Sequence, residues 1–283
     1  MAIFFNQATL TYNGNTTNSN IAYGEILDVL TATKTAIEEN YTPGELLTYV
    51  VTLRNTGNTA LTALTVTDDL GAYELNGVTV YPLTYEPGTA TLFINGVLQP
   101  APEVTAGPPL VVAGINIPAD GDGVLVYQAR VNAFANPAAG GTIDNTVTVT
   151  GACPNAVTAT ETVTAAVAPA LTIAKTLTPT QVVCNDRITY TFVIQNYGNR
   201  PVVATDDAVI TDTFNPILTA LLVTFNGTVW TQGIQYNYNE ATGLFATVPT
   251  QILVPAATYT QDPVTGEYTV TPGTATLTVT GTI

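Results

Sequence analysis

Polar and apolar residues alternate along most of this chain. The segments L-T-Y-V-V-T-L (47–53), N-T-V-T-V-T (145–150), I-T-Y-T-F-V-I (188–194) and T-L-T-V-T (276–280) place Val, Ile, Leu and Tyr on one side and Thr on the other. A period of two over stretches this short predicts half-buried β-strands. Asn-Gly and Pro-Gly pairs between the segments predict tight turns. No segment carries a helical period. Short strands at this spacing over two long stretches predict an all-β chain of two tandem immunoglobulin-like β-sandwiches.

The two stretches repeat one another. T-A-T-K-T (31–35) matches T-I-A-K-T (172–176), which aligns Lys34 with Lys175. T-Y-V-V-T-L (48–53) then matches T-Y-T-F-V-I (189–194), and R-N-T-G-N (54–58) matches Q-N-Y-G-N (195–199). After a three-residue insertion V-T-D (66–68) matches I-T-D (210–212), which aligns Asp68 with Asp212. Self-similarity of this kind marks copies of one structural unit. The expected organisation is an N-terminal segment (1–30), a first sandwich (31–168) and a second sandwich (169–283).

One strand pattern is distributed unevenly between the copies. The first copy closes with N-T-V-T-V-T-G (145–151), whereas G-T-A-T-L-T-V-T (273–280) aligns with the preceding strand, G-V-L-V-Y-Q-A-R (123–130). The other close match to the closing strand is N-Q-A-T-L-T-Y (6–12), which lies 28 residues before Lys34, as Asn145 lies 30 before Lys175. The second sandwich is therefore expected to lack its last strand, and the N-terminal segment to carry a donor strand marked by Phe5, Asn6, Ala8, Leu10 and Tyr12. A sandwich short of a strand exposes a groove and an unpaired edge that invite strand addition. Head-to-tail donation does not close on itself, so identical subunits would form a linear or helical homopolymer.

The order K-T, Y-x-V-x-x-x-N-x-G-N, V-T-D and N-T-V-T-V-T resembles the bacterial surface repeat known as domain of unknown function eleven. It is also similar to isopeptide-forming fimbrial domains. The resemblance spans nearly the whole chain. It implies an immunoglobulin-like sandwich, assembly outside the cell and, in many members, a Lys–Asn bond assisted by an acid.

Strand parity gives that chemistry a physical basis. Lys34 shares its face with Leu30 and Ala32, and Lys175 with Leu171, Ile173 and Leu177. Asp68 shares its face with Leu64, Val66 and Leu70, and Asp212 with Ile210 and Phe214. Asn145 lies with Ile143, Val147 and Val149; Asn6 lies with Phe4, Ala8, Leu10 and Tyr12. All six polar groups sit on apolar stripes, where an unpartnered charge is very costly, so they should meet one another. In an apolar core a lysine amine tends to lose its proton and a carboxyl to keep its own. A neutral amine can then attack an Asn amide while the acid shuttles protons. The expected bonds are Lys34–Asn145 within the first sandwich, assisted by Asp68, and Lys175 to Asn6 of the next subunit, assisted by Asp212. Neighbouring Asp69 competes with Asp68 for the first role. The alternative is a buried Lys–Asp ion pair with the Asn hydrogen-bonded beside it.

Composition narrows the function classes. The 283 residues carry 21 Asp and Glu against 6 Lys and Arg, a net charge of -15, which disfavours nucleic acid and anionic membrane surfaces as partners. Only 10% of residues are charged and 46% are hydrophobic, so the chain folds rather than forming an acidic disordered tail. It has no histidine, one serine (Ser19) and two lysines, which leaves no catalytic triad, phosphate loop or zinc spacing. No enzyme with turnover and no cofactor is expected. Acids such as Glu74 and Glu86 show no pairing suited to glycan hydrolysis. A-D-G-D-G (119–123) and Asp206-Asp207 read as solvated turns rather than calcium sites, and Trp230, Tyr236, Tyr238 and Phe245 as core. Cys153 and Cys184 allow either an interdomain disulfide or two reduced thiols. No apolar run is long enough to span a bilayer. The start lacks a secretory signal pattern, from which a spore-surface filament is expected. The competing reading is a monomeric cell-surface adhesin or binding module that uses the sandwiches as a stalk, with its ligand unknown.

Overall fold

A computed structural model of the chain describes residues 2–151 and 155–283. The described residues are almost all strand and turn, with one short 3-10 turn, Ala204–Asp206. Two compact units emerge: residues 1–136 with 142–164, and residues 137–141 with 165–283. The short segment 137–141 thus joins the second unit, where the Asn199 side-chain amide donates to the Pro137 carbonyl at 2.9 Å. No helix among the described residues is long and apolar enough to cross a membrane.

The first unit is a β-sandwich. One sheet runs Val97–Leu98, Thr91–Ile94, Asp122–Val131, Leu46–Asn55, Leu30–Ala36, with Leu83–Tyr85 also paired to Asp122–Val131. The facing sheet has six strands in the order Glu103–Thr105, Leu110–Ile117, Leu61–Asp68, Thr142–Thr150, Val157–Ala165, Asn40–Tyr41. Along Leu46–Asn55 every second residue is buried, and Leu47, Tyr49, Val51 and Leu53 have no exposed surface. Burial of each such side chain contributes roughly 1.5–3 kcal/mol before entropy is set against it.

The second unit repeats only part of this plan. Its larger sheet has the same order, Thr228–Trp230, Thr219–Phe225, Gly273–Thr282, Arg187–Asn196, Leu171–Thr178. Its second sheet has three strands, Tyr236–Asn239, Leu244–Thr247 and Thr211–Thr213, corresponding to the first three of the six in unit one. Among the described residues nothing pairs with the other edge of Thr211–Thr213. Trp230, Tyr236, Tyr238 and Phe245 are buried in this unit's core, with Phe214 packed among them.

The pairing of Gly273–Thr282 corrects one alignment. Asp122 pairs with Arg54 in unit one, and Thr274 pairs with Gln195, the counterpart of Arg54, in unit two. Val279, not Leu277, therefore stands where Tyr127 stands. A slip of two residues keeps every side chain on its face, so alternation alone does not distinguish the two registers.

The N-terminal segment is a hairpin rather than a lone strand. Ala2–Asn6 pairs with Ala22–Ile26, and Thr9–Tyr12 pairs with Asn15–Asn18. Asn13 and Gly14, at φ 41° and 80°, supply the two left-handed residues of a tight hairpin turn. A free strand would leave its amides and carbonyls unpaired, and this turn lets the segment pair with itself. Apolar side chains remain in solvent: Ile3 is 72% exposed, Phe4 56%, Leu10 62% and Tyr12 58%.

Candidate functional site

In unit one the two sheets bring Lys34 and Asp68 together, and Asn145 lies on the strand paired with that of Asp68. Lys34, on an edge strand of one sheet, donates to Asp68 Oδ2 on the other at 2.6 Å, with side-chain exposures of 0% and 2%. Asn145 enters from the strand next to Asp68, because Val147 pairs with Asp68 across the ladder. Asn145 is fully buried, and its Nδ2 makes no hydrogen bond to any described residue. Its Oδ1 accepts the Gly71 amide at 3.2 Å.

Two contributors were not legible from the repeat. The Tyr127 hydroxyl donates to the same Asp68 oxygen that holds Lys34. Tyr49 stacks on Tyr127 at 5.7 Å between ring centroids, and the lysine nitrogen lies 4.8 Å from the Tyr49 ring. Both tyrosine side chains border Asn145. The inward parity of Tyr127 with Leu125 and Ala129 was the available signal. Gly71 is the other: at φ +73° it turns the chain after Asp68, and a Cβ there would lie 2.6 Å from Ile143. D-D-L-G (68–71) was its mark in the sequence.

Electrostatics follow from this burial. Desolvation lowers the Lys34 amine below its ordinary value, with Asp68 acting in the opposite sense. Burial and the adjoining Asp68 charge raise Tyr127 well above the ordinary phenol, so it remains a donor. Asp69 does different work. Its Oδ1 accepts the Gly71 and Thr146 amides at 2.9 Å each, which fixes the turn beside Asn145. Burial raises its carboxyl, opposed by those two amides.

Unit two contains the same pair in an open setting. Lys175 contacts Asp212, and its nitrogen lies 4.4 Å from the Tyr190 ring, the counterpart of Tyr49. Here the side chains are 40% and 18% exposed. Leu171 and Ile173, on the lysine face, are 44% and 56% exposed, whereas Leu30, the counterpart of Leu171, is 5% exposed. The expectation of an apolar stripe is met in residue type but not in burial. The strands that cover the corresponding region of unit one have no counterpart here among the described residues.

Other predicted positions separate from these clusters. Asn6 lies on the exposed hairpin with Phe5, Ala8, Leu10 and Tyr12. Cys184 is exposed; Cys153, and with it the disulfide expectation, lies outside the described residues. Asp120 and Asp122 both pair with Arg54 at 2.7 Å, and Asp206 pairs with Arg200. Glu86 pairs with Arg130, and Glu74 accepts from Thr79. No cluster of three or more metal-ligating side chains occurs among the described residues.

No family model matches the chain, and no curated protein matches it. Among solved structures it is similar to the pilus backbone RrgB from Streptococcus pneumoniae, at 11% identity and TM-score 0.34 over 86% of this chain. The chain spans 55% of that structure's length. It is also similar to BcpA, the major pilin subunit of Bacillus cereus, at 11% identity and TM-score 0.39, covering 95% of this chain and 70% of that one. The collagen-binding domain of a Staphylococcus aureus adhesin gives 10% identity and TM-score 0.30, covering 48% and 99%. The all-β, immunoglobulin-like sandwich assignment follows from the sheet order described above.

Proposed function

We propose that this chain is a structural subunit of an extracellular filament. Its second unit is completed by the N-terminal segment of the next copy, and Lys–Asn isopeptide bonds lock both units. The observation that carries this reading is the contrast between two equivalent Lys–Asp sites. One is closed by an Asn-bearing strand. The other is open beside a strand edge that no described residue pairs, and the same chain carries an exposed segment with the matching Asn.

Geometry in unit one suits one turnover of amide exchange. Lys34 passes its ammonium proton to Asp68, and the neutral Nζ then attacks Cγ of Asn145, forming the Nζ–Cγ bond. Gly71 N–H donates to Oδ1, where negative charge develops. Asp68 passes that proton to Nδ2 and takes one from the attacking nitrogen. The Cγ–Nδ2 bond then breaks and ammonia leaves, and Asp68 ends protonated. Tyr127 holds the carboxyl in place. Strands fixed by packing supply the proximity. In unit two Val279 replaces the tyrosine donor, so Asp212 acts there without that hydroxyl.

Purified chain should form concentration-dependent polymers visible by electron microscopy. A variant lacking residues 1–26 should remain monomeric and folded. Polymers from the truncated chain would remove the N-terminal segment from assembly, and no polymer from the intact chain would favour a monomeric binding module.

A further inference from the structure

We propose that the donated element is the entire hairpin, residues 2–26, inserted as a preformed two-stranded unit into the second unit of another copy. This rests on the donor reading above and specifies its partner surface.

The open edge is more than one strand wide. In unit one, Leu61–Asp68 is followed in the sheet by Thr142–Thr150 and then Val157–Ala165. In unit two, Thr211–Thr213 is followed by neither counterpart among the described residues. The hairpin supplies two antiparallel strands joined by a tight turn, as that site requires. Its face pattern also agrees. Phe4, Asn6, Ala8 and Leu10 reproduce Ile143, Asn145, Val147 and Val149.

Cross-strand packing already exists within the hairpin. Ile143 faces Val163 across the ladder in unit one, and Phe4 faces Gly24 in the hairpin. The Phe4 ring lies over Gly24 so closely that a Cβ there would fall 2.2 Å from it. A large side chain over a glycine replaces two medium ones. Delivering one strand alone would break the internal ladder and leave strand 15–26 unpaired, whereas delivering both retains it. A lone two-stranded hairpin is marginal in water. Docking supplies the third strand and the apolar face it lacks.

A covalently closed hairpin tests this. Thr9 Oγ1 and Asn18 Oδ1 meet at 2.9 Å on facing strands, so Thr9→Cys/Asn18→Cys places two thiols opposite one another. The pair is introduced with Cys153→Ser and Cys184→Ser to leave one disulfide. The oxidised variant should polymerise at the rate of its reduced form. Reduced protein that assembles while oxidised protein does not would overturn hairpin insertion and keep single-strand donation. Failure of the Cys-free parent itself would overturn both. As a second variant, Thr17→Pro disrupts the hairpin's return strand and leaves residues 2–12 unaltered. Hairpin insertion predicts assembly slowed about tenfold, equivalent to roughly 1.4 kcal/mol. Faster assembly would overturn the proposal, because a loosened hairpin releases a single strand more readily.

Discussion

Asp68→Ala is expected to be the most damaging single substitution in the first unit. It removes the acid that moves the proton, so Lys34 and Asn145 stay unjoined and the intact mass stays higher by one ammonia. It also leaves Lys34 and the Tyr127 hydroxyl without their shared partner in a fully buried site. Breaking a buried pair from one side costs about 3–5 kcal/mol, because the remaining charge is uncompensated. Removing both charges with Lys34→Met/Asp68→Leu should recover most of that ionic penalty, since an apolar pair of similar volume is often no worse than a buried ion pair. It should not recover the bond. Denaturant titrations of the wild type, the single variant and the double variant separate the two effects. Equal stability of the single and double variants would contradict the uncompensated-charge argument.

Asn145→Ala isolates the cross-link, because Lys34 and Asp68 retain each other. The bond between Lys34 and Asn145 closes a loop of roughly a hundred residues. By the chain-entropy argument used for disulfides, its loss should lower stability by about 4–5 kcal/mol. For a unit of this size that is roughly a 10–15 °C fall in melting temperature. Mass spectrometry of the same samples should show wild type lighter than the sum of its residues by one ammonia, and the variant at full mass. Wild type at full mass in a folded sample would leave only the ion pair.

These expectations depend on features that differ in how well they can be read from sequence. Lys34, Asp68 and Asn145 were legible because each falls at an inward position of an alternating strand, and two of the three recur in the second copy. Burial of a charge is expensive enough that inward parity alone predicts a meeting. Tyr127 carries the same parity signal, but a tyrosine facing a core needs no partner to justify it, so nothing singled it out. Gly71 acts through its backbone amide, and alternation describes side chains. Asp68 and Asp69 differ by one residue and therefore face opposite ways, which gives one the lysine and the other two amides. The two-residue slip along Gly273–Thr282 escaped for the converse reason: parity is unchanged, and only the ladder distinguishes Val279 from Leu277 as the counterpart of Tyr127. The exposure of Leu171 and Ile173 depends on strands elsewhere in the fold, so no local pattern reveals it. Asn13-Gly14 marks the hairpin turn, whereas the likeness of residues 6–12 to residues 145–151 covers one strand of the two.

The most direct test of the filament account is a denaturing gel of assembled material, boiled with reductant, comparing the native chain with Asn6→Ala. The account predicts a ladder of covalent multimers in the native lane that collapses to monomer in the variant, because Lys175 of one copy has then lost the amide it attacks in the next. Monomer in both lanes, from material that was polymeric before boiling, would contradict the intersubunit bond. A ladder that persists in Asn6→Ala would place the covalent junction at some other residue.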